Sequence, residues 1–166
     1  MKTRNLVLGI ALVAIAAAQP LGAADTTSIL TVNATVAATA SLTLGAAAIG
    51  FPDANPDTTP SIPANAALTI VAKGKTSTGS SVTLTVLAAG DLTAGGSDVI
   101  PINNVTWTTG STGFVAGTMS KTTAQTVGSW ANSGNRPGSI SFFLANSWDY
   151  AVGSYSTTAT FTLTAP

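Results

Sequence analysis

The sequence contains no cysteine, no histidine and no glutamate; its six acidic residues are all aspartates. These absences exclude whole classes of chemistry. Ser-His-Asp and Cys-His catalysis, thiolate and imidazole metal sites and glutamate acid–base pairs cannot be built from this chain. No disulfide can form, so stability has to come from packing and backbone ladders. A glycosidase could use two aspartates. Here, however, Asp25, Asp53, Asp57, Asp91, Asp98 and Asp149 lie singly, mostly beside Gly, Pro, Asn or Ser, where a carboxylate supports a turn. The chain is therefore read as a non-enzyme.

Charge is equally scarce, at 7% of residues. Beyond the first few positions only Lys73, Lys75, Lys121 and Arg136 oppose those six aspartates, which leaves a small negative balance. That excludes a basic footprint for nucleic acid or anionic lipid. A polar surface of Thr, Ser, Asn and Gly with few charges favours association between copies.

The amino terminus is more specific. Lys2 and Arg4 precede an apolar run from Leu6 to Ala18, and Gly22-Ala23-Ala24 offers small residues before Asp25. This is the pattern of a secretory signal peptide, too short to span a bilayer. The expected organisation is a signal peptide over 1–24 and a single domain over 25–166. The protein is expected to be exported to the cell surface or medium, through the periplasm in a two-membrane cell, without membrane insertion after cleavage.

Beyond it the apolar period is two. Leu30, Val32, Ala34, Val36, Ala38, Ala40, Leu42 and Leu44 share one phase, which predicts one long strand over 30–44 that bends or reaches beyond its own domain. Pro52, Pro56, Pro60 and Pro63 mark a loop. Leu68, Ile70 and Ala72, then Val82, Leu84 and Val86, read as an antiparallel hairpin across "KGKTSTGS". A bulge or short turn is expected at Asn103-Asn104, weak strands at "FVAGTMS" and "AQTVGSWA", and a strong one with Ile140, Phe142 and Leu144 in phase. A last alternating strand is expected from Tyr155 onward, with Tyr155, Thr157, Ala159, Phe161 and Leu163 in one phase. The fold class is all-β, an Ig-like antiparallel β-sandwich of roughly eight or nine strands.

Three sites follow from residue type. Asp53, Asn55 and Asp57 form D-x-N-x-D, the first half of a calcium loop, although Thr58 stands where such a loop wants Gly and Ala64 where it wants Glu. A proline-braced turn is the other reading of the same residues. Trp148 and Tyr150, in a predicted loop near Asn146 and Asp149, are the best place for stacking a sugar ring; the competing reading is that they close the end of the sandwich. Leu30, Val32, Val36, Leu42 and Leu44 are the candidate assembly strand, with other copies of the chain as the expected partner and surface polysaccharide as the alternative.

Two resemblances bear on this. The ending "YSTTATFTLTAP" resembles the distal motif of WxL cell-surface domains through Tyr155, Thr160, Leu163, Ala165 and Pro166, with Phe161 where that family carries Trp. The resemblance implies wall binding. The overall plan is similar to bacterial fimbrial or spore-coat-U-like β-sandwich subunits: an alternating Ala/Val/Thr strand after the signal peptide, an "LTLG" turn at Leu42 to Gly45, and a "GSYS" lead into the final strand. That likeness implies subunits in which the amino-terminal segment of one copy fills a groove in the next. The final strand then has two expected arrangements. In a closed monomer it pairs with the first strand and with Ile140 to Leu144; in an open subunit it borders a gap that a neighbour fills.

Overall fold

Alternation of buried apolar and exposed polar side chains builds nearly every strand. In the computed structural model, which describes residues 27–95 and 97–166, the strands are β1 (Thr39–Leu44), β2 (Ser61–Pro63), β3 (Leu68–Lys75), β4 (Ser81–Ala88), β5 (Leu92–Thr93), β6 (Val99–Ile100), β7 (Val105–Thr109), β8 (Gly117–Thr118), β9 (Gln125–Ala131), β10 (Gly134–Ala145) and β11 (Ala159–Thr164). The sole helical element among the described residues is a 3-10 turn at Ile102–Asn104, where the sequence pattern places a break. Residues 35–166 form one compact unit. The predicted signal segment lies outside the described residues.

Two antiparallel sheets face each other. One has the order β1-β3-β10-β7-β8, with β2 pairing the end of β10; the other has the order β11-β4-β9. Inward side chains of β3 (Leu68, Ile70, Ala72), β4 (Val82, Leu84, Val86, Ala88) and β10 (Ile140, Phe142, Leu144) are buried together with Trp107, Val127 and Trp130. Pro137 is tolerated in β10 because that half of the strand ladders on one side only, to Val71 of β3. Strand β9 escapes a simple period because Val127 is an extra residue between the pairs Leu84↔Gly128 and Thr85↔Thr126. This bulge lets Val127 and Trp130, out of phase in sequence, both point inward.

The predicted hairpin over Leu68–Ala72 and Val82–Val86 does not form. Strands β3 and β4 belong to different sheets, and the turn between them carries the chain across the sandwich. Both strands have one fully apolar phase, which suits facing layers better than neighbours in one sheet. They pass so close that a Cβ on Gly74 would lie 2.7 Å from Val82. The link from β9 to β10 also switches sheets, and the two turns are tied together: Ser133 Oγ accepts from the Thr76 amide at 2.9 Å and Asn132 Oδ1 from that of Gly79 at 3.2 Å.

These pairings fix two ends. The turn end holds the β3–β4 and β9–β10 turns, the start of β1 and the finish of β11. The opposite, loop end gathers the long connections 45–67, 89–104, 119–124 and 146–158. The strand predicted over 30–44 is shorter than expected: only Thr39–Leu44 forms β1, and residues 27–38 carry no strand. Alternation makes a segment competent for a ladder, but a partner must supply the hydrogen bonds.

Leu84 is fully buried where the two sheets meet. Replacing it by Ala should destabilise the fold by about 2–5 kcal/mol, read as a lower denaturation midpoint with an unchanged slope.

Candidate functional site

The two long edges of the sandwich are finished differently. On one, the chain leading into β8 stitches the sheets together: Val115 N–H donates to Val127 O at 2.8 Å and Ser129 N–H to Gly113 O at 3.1 Å. On the other edge β1 and β11 run antiparallel past each other, with Cα atoms that come within 8 Å. Each has one ladder partner, β3 for β1 and β4 for β11, and among the described residues neither pairs with the other. The final strand therefore pairs with neither of the closed monomer's partners, the first strand and Ile140–Leu144. Its ladder to β4 matches Ala159 with Ala88 and Thr164 with Thr83, and among the described residues its outer row of backbone groups has no ladder partner.

This open edge is apolar on its inner side. Leu42 and Leu44 of β1 and Phe161 and Leu163 of β11 pack against the core yet remain half-buried. Of the predicted assembly residues, Leu42 and Leu44 thus sit on the open edge. Leu30, Val32 and Val36 precede it and are 85%, 82% and 74% exposed. Residues 30–36 are an alternating segment without a ladder, and β11 is a ladder edge without a segment.

The loop end brings together two stretches that sequence singled out separately. Asn146 is the clamp: its amide nitrogen donates to Ala54 O at 2.9 Å and Thr59 O at 3.1 Å, while its backbone N–H reaches Pro60 O at 2.9 Å. Asn55 Oδ1 accepts the Asp57 N–H at 2.9 Å, closing a turn, and Asp57 Oδ1 accepts the Trp148 indole N–H at 3.0 Å. Oxygens of Asn55 and Asp57 are thus committed to the loop itself, and Asp53 is exposed beside them. Among the described residues no three acidic side chains are grouped together.

Trp148 keeps 68% of its surface exposed with its indole edge anchored. Tyr150 is placed differently. Half-buried, its hydroxyl accepts from Asn104 Nδ2 at 2.8 Å and donates to Ala145 O at 2.9 Å, tying the 3-10 turn to the end of β10. Burial pushes its hydroxyl pKa above the ordinary value of 10.0; the Asn104 bond opposes this and the charge of Asp149 adds to it.

Nearby, Asp91 pairs with Lys121 and accepts the Ile102 N–H at 3.0 Å, and these contacts, the Lys121 bond foremost, hold its carboxyl below the usual range. No local pattern announces the Asn146 clamp or the Asp91–Lys121 pair, because their partners lie 87–92 and 30 residues away.

In comparisons with known proteins, no family model, no curated protein and no solved structure matches this chain.

Tyr150→Phe should lower stability by about 1 kcal/mol at neutral pH by removing both hydroxyl bonds. Because the folded-state pKa is raised, the hydroxyl's contribution is complete below 10.0 and is lost as pH rises through the folded value. Melting curves of the two proteins should therefore converge on the alkaline side.

Proposed function

We propose that the protein is an exported structural or adhesive subunit of the cell surface that assembles with copies of itself by β-strand addition. The alternating segment before β1 of one copy lies along the outer edge of β11 in the next. The observation that carries this reading is the match between the unpaired, apolar-backed edge of β11 and the exposed alternation of Leu30, Val32 and Val36. Main-chain hydrogen bonds supply affinity in such a joint, and alternate side chains supply register.

In the joint, Leu30, Val32 and Val36 cover Phe161 and Leu163 and approach Leu42 and Leu44. Pairing with β1 and β11 at once requires about 9.6 Å between those strands, two strand spacings. They approach more closely than that. The incoming segment therefore ladders on β11 first, and full seating moves β1 outward.

The absence of His, Cys and Glu fits a structural rather than an enzymatic role, and the low charge removes repulsion between packed copies. The signal-peptide pattern supports export.

One observation favours a second reading, a monomeric carbohydrate-binding module: Trp148 is a broadly exposed indole with its edge held by Asp57, a ready platform for a sugar ring. Size exclusion with light scattering on the exported chain separates the two. Strand addition predicts a ladder of multiples that Val32→Asp or Val36→Asp reduces to monomer without loss of the folded core; multiples that survive either change contradict it. A wild-type monomer retained on polysaccharide, and released by Trp148→Ala, supports the second reading.

A further inference from the structure

The charges of the sandwich are sorted by end. Lys73 and Lys75 near the finish of β3 and Arg136 near the start of β10 lie toward the turn end, with no aspartate beside them among the described residues. Asp53, Asp57, Asp91, Asp98 and Asp149 all belong to the connections of the loop end, where the one cation among the described residues, Lys121, is engaged by Asp91. The lysines at the turn end are exposed, as are Asp53, Asp57, Asp98 and Asp149. Arg136 points inward, in phase with Ile140 and Phe142, and its Nε is buried without a hydrogen-bond partner. In so weakly charged a chain these two clusters are the dominant electrostatic features.

We infer that copies stack end to end with the basic turn end of one against the acidic loop end of the next, forming a line with a direction. This deepens the strand-addition reading and rests on it for the joint's backbone ladder. The occupant of each end is a second copy of the chain, because each end presents the charge that the other lacks.

Topology gives the same polarity independently of charge. Strand β1 starts at the turn end, so the chain entering it leaves the sandwich there, against the next copy's loop end. The edge of that copy's β11 begins at its loop end with Ala159 and runs away from the joint. A segment laid along it reads amino to carboxyl toward the joint, antiparallel to β11, which is the better-paired arrangement. Extended, residues 27–38 span roughly 40 Å, about twice the length of β11, enough to cross the joint and follow the whole edge.

The experiment compares assembly by sedimentation velocity in about 50 and 500 mM NaCl, salt that shortens the screening length from roughly 14 to 4 Å. Three proteins are used: wild type, Lys73→Glu/Lys75→Glu, and Asp53→Lys/Asp98→Lys. Among the described residues none of these four side chains makes a hydrogen bond, so melting temperatures should match. Wild type should need about tenfold more protein to assemble at high salt, as contact electrostatics is screened. Each variant alone should fail to assemble at low salt. Mixed, they should regain assembly as alternating copies, because the unaltered basic turn end of one meets the unaltered acidic loop end of the other and the two altered ends again carry opposite charges at the changed positions. Variants that assemble like wild type at both salts overturn the end-to-end charge contact and leave strand addition standing. A wild type monomeric at every salt overturns both.

Discussion

The outer backbone row of β11, without a ladder partner among the described residues, is the constraint on which the rest of the account depends. A strand carries a donor and an acceptor at every residue, and a sheet edge presents half of them outward. On one side of this sandwich the problem is solved internally by the stitch between residues 113–115 and β9. On the other, β1 and β11 come near without pairing, and the apolar residues behind them stay half-buried. Proteins usually blunt such an edge with lysine, proline or a covering loop. Here β11 is Ala159-Thr160-Phe161-Thr162-Leu163-Thr164, without charge or proline. An edge left in that state fits one that is covered by another copy.

Much of the architecture was legible because period two is a direct statement about faces. Strands β3 and β4 fall where alternation predicts them, whereas β10 begins earlier, at Gly134, and β11 later, at Ala159 rather than Tyr155. What was not legible is which strand lies beside which. The hairpin expected between Ile70 and Leu84 is a crossing between sheets, and a five-residue turn is compatible with both. Strand β9 was faint because of its glycine, and the bulge at Val127 also breaks its period. The long strand expected over 30–44 stops at Thr39, since periodicity records what a segment can pair with and not whether the partner is in the same chain.

The site residues show the same division. Residue type brought out Asp57 and Trp148, but only folding joins them, through an indole bond across 91 residues. Tyr150 was noticed for its ring and is held by its hydroxyl. The sorting of charge between the ends is invisible in sequence, where Lys73 and Asp91 are near neighbours. It follows from strand direction: Lys73 lies near the finish of β3, while Asp91 follows the finish of β4, which runs the opposite way.

The central claim is that the outer edge of β11 is covered by another copy. Amide hydrogen exchange of residues 159–164, followed by NMR or mass spectrometry in dilute and concentrated protein, tests it most directly. The account predicts that the amides facing away from β4 exchange freely when dilute and become protected on concentration, together with amides of residues 30–36. Equal exchange at both concentrations, in a sample that does assemble, would contradict it.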